Sequence, residues 1–205
     1  MGEIRKGVFA KITGQVQHSM SNEIYYDYKN YWLHEGKLNK IDSLSFRLTK
    51  EHDVQIPPLL EAVKKIKPKS ILEIGAGWGR IVKEIRKISD AEYLALDLSY
   101  DRLKMIDDKT IGRKVIDFMD FNSIERRYDL IIAVEVLMHI PSDIITQFVA
   151  KMKVMGKTLI TLDYDPQEPR DIVLAEHNFL HDYKKLLPFA EINQVNYVQK
   201  MRVWK

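Results

Sequence analysis

From Ser70 onward the chain alternates between short apolar runs and stretches in which apolar residues recur every three or four positions. The runs fit strands buried on both faces and the stretches fit helices with one apolar stripe, so the alternation predicts a parallel sheet with crossover helices. Strands are expected to open at Ser70, Glu92, Lys114, Tyr128 and Lys157. Ile81, Val82, Ile85 and Ile88 form a helical stripe behind the first. Ile144, Ile145, Phe148, Val149 and Met152 form another behind the fourth, on a helix that Ser142 is placed to cap and Gly156 to end. Upstream, Pro57-Pro58-Leu59-Leu60 with Val63 and Ile66 predicts a helix opened by proline, and Pro68 makes the turn into the first strand. Beyond the fifth strand a helix is expected around Tyr183 to Leu187. Two late β segments follow, near Glu191 to Val195 and Lys200 to Trp204, too close together for a crossover and so an antiparallel hairpin. The fold class is α/β: a doubly wound, mainly parallel seven-stranded sheet closed by that hairpin, with a helical N-terminal extension.

The first strand runs into three glycines at alternate positions, in Glu73-Ile74-Gly75-Ala76-Gly77-Trp78-Gly79-Arg80. Without Cβ, such a turn adopts positive φ and brings bare amides up to a ligand. A nucleotide-like cofactor is the first hypothesis. The dinucleotide fingerprint requires G-x-G-x-x-G/A, and its last position holds Arg80, so a nicotinamide or flavin dinucleotide fits poorly. What stands instead is E-x-G-x-G-x-G. A carboxylate at Glu73 repels a pyrophosphate and suits a ligand bearing ammonium and sulfonium charges. Trp78 either packs under the loop or narrows its entrance.

In this motif the chain resembles the class I S-adenosylmethionine-dependent methyltransferases, and further similarity follows in the expected order. Asp97 ends the second apolar run 22 residues after Gly75, the separation of one strand-helix-strand unit, and as the ribose clamp it would accept from both hydroxyls. The resemblance implies that the loop Gly75, Ala76, Gly77 and Gly79 cradles the cofactor. It implies also that Asp120 accepts from the adenine amino group, and that Leu98 and Phe121 flank the ring. After the fourth strand, Glu135 would lie near the methionine moiety and His139 near the transferred methyl. The likeness extends from Ser70 to the C-terminus, with its specific motifs between Glu73 and Pro141.

His139 is the leading candidate for a general base, because it follows the fourth strand at the carboxyl edge where open α/β sheets bind ligands. His177, His181 and Asp182 are candidates for the acceptor side of the same crevice, while Asp163 and Asp165, in a proline loop, are expected to be solvated. Tyr25, Tyr26, Tyr28, Tyr31 and Trp32 crowd one short segment, read either as packing or as part of a lid over the cofactor spanning Met20 to Leu38. Residues 1–56 are accordingly expected to form a lid and substrate-side extension, and 57–205 the cofactor-binding domain.

With 205 residues and 45% hydrophobic content the chain can bury a substantial core, and one globular unit is expected. The absence of cysteine excludes disulfides, thiolate catalysis and sulfur-ligated zinc, and no other ligand spacing suggests a metal. No run approaches the roughly 20 apolar residues of a membrane span, and the expected location is the cytoplasm. A net charge of +3 is too small for a nucleic-acid footprint. Three readings of function remain: methyl transfer to O or N of a small-molecule acceptor, favoured by the segment Val136 to Ile140 after strand four; a protein or RNA methyltransferase; and an inactive S-adenosylmethionine-binding protein.

Overall fold

In the first strand, β1 (Ser70–Ile74), side chains point alternately to the two faces of the sheet, and both sets are apolar apart from Ser70 at its start and Glu73. The computed structural model describes residues 28–35, 53–117, 120, 126–165, 177–196 and 198–205. Among them, β1 is joined by β2 (Glu92–Asp97), β3 (Gly112–Val115), β4 (Tyr128–Val134), β5 (Gly156–Tyr164), β6 (Glu191–Gln194) and β7 (Gln199–Trp204). The seven lie in one sheet, ordered β3-β2-β1-β4-β5-β7-β6. The first five are mutually parallel, β7 is antiparallel to β5, and β6 and β7 form the expected hairpin.

Helices cover both faces: α1 (Tyr28–Glu35), α2 (Ile56–Ile66), α3 (Arg80–Arg86), α4 (Tyr100–Leu103), α5 (Ile145–Met155) and α6 (Tyr183–Leu186). Leu72, Ile74, Ile131 and Ala133 pack on one side with Phe148, Val149 and Met152 of α5. Ile71, Ala95, Leu130 and Ile132 pack on the other with Leu59 and Val63 of α2 and with α3. Full burial of each large apolar side chain contributes about 1.5–3 kcal/mol, so this two-sided pattern fixes which residues of each strand face which helices. Pro57 and Pro58 open α2 as expected, after a short 3₁₀ turn at Asp53–Gln55. No helix among the described residues is long and apolar enough to cross a membrane.

The sequence predicts a third strand over Lys114 to Phe121, a fifth over Lys157 to Leu162 and a Ser142 cap on α5, and the structure differs at each. The third strand begins at Gly112 and ends at Val115, and the Ile116 amide then donates to the Asp97 carbonyl at 3.0 Å, so Asp120 follows the strand rather than ending it. Ser142 does not cap α5; the Pro141 carbonyl receives the amides of Ile144 and Ile145, both at 3.1 Å. Strand β5 continues to Tyr164 because β7 pairs with it that far, Tyr164 lying opposite Gln199.

The strand order reverses between β1 and β4, and there the carboxyl ends of neighbouring strands part to leave a crevice. Gly156, where α5 ends and β5 begins, leaves no room for a side chain against the sheet, since a Cβ on it would lie 2.8 Å from Leu159 Cδ2 of β5 and 3.0 Å from Ile131 Cγ1 of β4. Gly156→Ala is therefore expected to destabilise the fold by about 1–3 kcal/mol through overpacking, measured by urea unfolding; an unchanged midpoint would show that the core yields freely there.

Candidate active site

The chain leaves β1 through Gly75, at φ +69°, in a region that side chains other than glycine rarely adopt. A Cβ there would lie 2.5 Å from Val136 Cγ2, so the loop sits directly against the segment after β4. Gly77, at φ +54°, is different, because a Cβ on it would meet no atom within 4 Å. The first glycine closes a protein contact, and the second leaves space. The loop is then tied down by its amides: Ala76 N donates to the Leu96 carbonyl at 2.8 Å and Gly79 N to the Ala76 carbonyl at 3.0 Å.

Asp97, at the end of β2, makes the decisive tie. Its Oδ2 accepts from Gly77 N at 2.8 Å and its Oδ1 from Ser99 N at 2.8 Å. Ser99 in turn caps α4, its Oγ accepting from Arg102 N at 3.2 Å. Burial raises the Asp97 carboxyl above its ordinary range, while the Ser99 and Gly77 amides and the Arg102 guanidinium oppose that rise.

Glu73 has a different setting. It is buried behind the loop, its Oε2 accepts from the Tyr93 hydroxyl at 2.7 Å, and burial pushes its carboxyl up to about 8. At neutral pH it is therefore mostly protonated.

Glu135 follows β4 with φ +56°, a strained conformation for glutamate, its amide donating to the Leu162 carbonyl at 2.7 Å. Its Oε1 accepts from Gln55 Nε2 at 3.0 Å and Gln199 Nε2 at 2.8 Å. A 3₁₀ turn at Leu137–His139 then brings His139 to the same edge. His139 Nδ1 lies 3.1 Å from the His177 carbonyl, and because a carbonyl only accepts, Nδ1 carries the proton and Nε2 the lone pair. Burial lowers this imidazole to about 4, so it is neutral at physiological pH.

This turn rests on Asp163, near the end of β5. Asp163 is fully buried, contrary to the solvated setting expected of it, and its Oδ1 accepts from Met138 N at 3.2 Å. Desolvation pushes it up to about 7. Asp165 is not merely solvated either, since it pairs with the buried Arg202.

A cleft with about 390 Å³ of empty space, part of it open to solvent, lies between these parts. Gly75, Asp97, Leu98 and Arg102 form its β1–β2 side, and Glu135, Val136 and His139 its β4 side. Trp32 of α1 joins the wall between them: its ring centre is 4.6 Å from that of His139, and the Arg102 guanidinium lies 5.5 Å from its ring. Tyr31 stacks on His177 at 4.5 Å.

Five of the expected site residues thus share one cleft: Gly75, Asp97, Leu98, Glu135 and His139. Ala76, Gly77 and Gly79 belong to the loop beside it, while Glu73 lies behind that loop and off the cleft wall. Asp120 is exposed and off the wall as well, and Phe121 lies outside the described residues. Of the acceptor-side candidates, His177 adjoins His139, His181 Nε2 bonds to the Leu137 carbonyl at 2.9 Å, and Asp182 caps α6. Sequence reasoning missed Arg102, Gln55, Gln199 and the role of Asp163. Only Asp163 carried a signal, as an acid directly continuing an apolar strand. Among the described residues no cluster of His, Asp or Glu is arranged to hold a metal ion.

Residues 72–157 match the family model of a methyltransferase domain. Human N-acetylserotonin methyltransferase in complex with SAM is similar in structure, with TM-score 0.67 and 13% identity over 84% of this chain and 57% of that one. Magnesium protoporphyrin IX methyltransferase from Synechocystis PCC 6803 with bound SAH gives TM-score 0.67 and 12% identity, covering 86% and 98%. The DhpI-SAH complex gives 0.63 and 12%, covering 86% and 93%. A search of curated proteins finds no match. The fold is Rossmann-like, and over residues 72–157 the chain is similar to a methyltransferase domain.

Because the folded state raises the Glu73 pKa from an ordinary 4.5 to about 8, the native protein binds the extra proton, and stability falls as pH rises through that interval. Glu73→Gln keeps an acceptor for Tyr93 and removes the ionisation. It is expected to stabilise the protein by about 2 kcal/mol at pH 8.5 and by little at pH 5, read from thermal melts at both; an equal effect at both would contradict the buried, protonated carboxyl.

Proposed function

We propose that the enzyme transfers a methyl group to an oxygen or nitrogen of a small-molecule acceptor, with His139 as the base. The observation that carries this reading is a neutral, buried imidazole on the cleft wall whose Nδ1–H is committed to the His177 carbonyl, leaving Nε2 to take a proton.

The residues present fit S-adenosylmethionine as the cofactor. The open space over Gly77 admits a ligand against the loop, and Asp97 and Glu135 give the wall the acceptors that a ribose and an ammonium require. On this reading Gly75, Ala76, Gly77 and Gly79 cradle it, Asp97 holds the ribose, Leu98, Asp120 and Phe121 serve the adenine, and Glu135 takes the ammonium. Glu73 supports the loop from behind through Tyr93. The bound sulfonium supplies an activated methyl group with its leaving group already in place. What remains for the protein is to align the acceptor lone pair, exclude water and receive the acceptor proton at Nε2 of His139.

Trp32 supports a small acceptor and a lid formed within residues 1–56, because its ring joins the cleft wall between Arg102 and His139. Two structural neighbours are named for small-molecule acceptors, N-acetylserotonin and magnesium protoporphyrin IX, and agree in kind.

His139→Ala is expected to leave S-adenosylhomocysteine affinity within about twofold and to lower turnover about 100-fold. The acid limb of the wild-type rate should lie near pH 4, where His139 gains its proton, rather than near 6.5. An unchanged rate in the variant would remove the base and leave methyl transfer standing. Trp32→Ala should weaken S-adenosylhomocysteine about fivefold in a calorimetric titration, and unchanged affinity would reject the lid. Acceptor class is tested by radiolabelled methyl incorporation, expected in the small-molecule fraction; label only in protein or RNA would overturn it.

A further inference from the structure

The groups that hold Glu135 come from outside the segment carrying the methyltransferase motifs, and their hydrogen bonds run in one direction. Arg80 Nη2 donates to Gln55 Oε1 at 2.7 Å. A guanidinium only donates, so the Gln55 amide has one possible orientation, with Nε2 toward Glu135 Oε1 at 3.0 Å and Gln199 Oε1 at 3.2 Å. Gln199 is fixed in the same manner. Its Oε1 also accepts from Asn196 Nδ2 at 2.7 Å, and its Nε2 donates to Glu135 Oε1 at 2.8 Å. Asn196 cannot turn over, because its Oδ1 already accepts the amides of Val198 at 3.0 Å and Gln199 at 2.9 Å.

Both glutamines are buried, at 0% and 3% exposure, and both end on the same carboxylate oxygen of a residue that lines the cleft. Two neutral donors converging on one oxygen favour the ionised carboxylate and fix its plane, at a site where the backbone is itself strained. The fully buried Asp163 stands close enough for the Glu135 charge to raise its carboxyl, so the glutamine donors also favour Glu135 as the acid that keeps its charge. A pair of core glutamines satisfying one another would need neither this convergence nor a partner on the cleft wall.

We propose that Gln55 and Gln199 are positioning residues that hold Glu135 ionised and aimed at the ammonium of the cofactor, so that affinity for its amino-acid end depends on the turn before α2 and on the β6–β7 hairpin. This rests on the assignment of Glu135 made under the proposed function. The inference accounts for Gln55, which precedes the glycine loop, and for Gln199, which follows the last crossover. Neither belongs to a recognisable motif, yet together they connect both ends of the described domain to one oxygen.

The test is calorimetric titration of the full chain with two probes, S-adenosylhomocysteine and 5′-methylthioadenosine, which lacks the amino-acid part. Gln55→Met and Gln199→Met keep chain length and remove the donors. Each is expected to weaken S-adenosylhomocysteine about five- to tenfold and to leave 5′-methylthioadenosine within about twofold, the latter also showing that the variant is folded. In a Glu135→Gln background, which alone should weaken S-adenosylhomocysteine by more than about tenfold, the methionine changes should add less than about twofold. If Glu135→Gln weakens S-adenosylhomocysteine and neither methionine variant does, the positioning role is overturned while Glu135 keeps its assignment. Equal weakening of both probes overturns it too, in favour of a general packing role. Unchanged affinity in Glu135→Gln removes the assignment of Glu135 and this inference with it. Should one methionine variant fail to fold, the other decides.

Discussion

The bridge that Asp97 makes between Gly77 N and Ser99 N is the contact on which the site depends. It joins the glycine loop after β1 to the start of α4 after β2, next to the tie that the Ala76 amide makes to the Leu96 carbonyl of β2. A carboxylate suits the position because it accepts at both oxygens and still has lone pairs directed at a ligand. Buried and bonded to two backbone amides, it is already in place before anything binds, so little ordering is required on association.

Around that bridge, acids at strand ends have separate tasks set by their surroundings. Glu73 is sealed behind the loop with Tyr93 as partner and keeps its proton at neutral pH. Asp163, equally buried, holds the 3₁₀ turn through Met138 N and so fixes where His139 stands. Glu135 reaches the cleft wall under two amide donors. His139 shows the converse effect: desolvation keeps it neutral, the form in which an imidazole accepts a proton. Burial, more than pairwise attraction, determines which of these groups carries charge.

Much of this was legible in the sequence, for identifiable reasons. The mainly parallel sheet and the hairpin followed from apolar runs whose period and spacing leave few topologies, and the cleft followed from the glycine turn with an acid one strand further on. Residue environment was less legible. The position of Glu73 before the glycines suggested a charge facing the ligand, but strand alternation turns its side chain to the face it shares with Tyr93, with Ala95 as its strand partner. Asp163 read as a loop acid because the pairing of β7 with β5, which carries the strand past it, is a long-range contact invisible in local pattern. Gln55 and Gln199 left no trace at all, since isolated glutamines 144 residues apart acquire meaning only when the fold brings them to one carboxylate. Local periodicity predicts elements, and contacts between distant elements settle protonation and partners.

The same distinction separates the two sides of the cleft. One side is built from β1, β2 and β4, whose register leaves little freedom, whereas Trp32, His139 and His177 meet through α1 and the loops beyond β4 and β5. Loops positioned on a rigid sheet are where specificity changes at least cost to stability. The most direct measurement is calorimetric titration of S-adenosylhomocysteine against Asp97→Asn, which keeps one acceptor and removes the charge. Affinity lower by about 30-fold or more, with the melting temperature held within a few degrees, is the outcome that a preformed Asp97 bridge serving the ribose requires. Affinity within about twofold of wild type would contradict it.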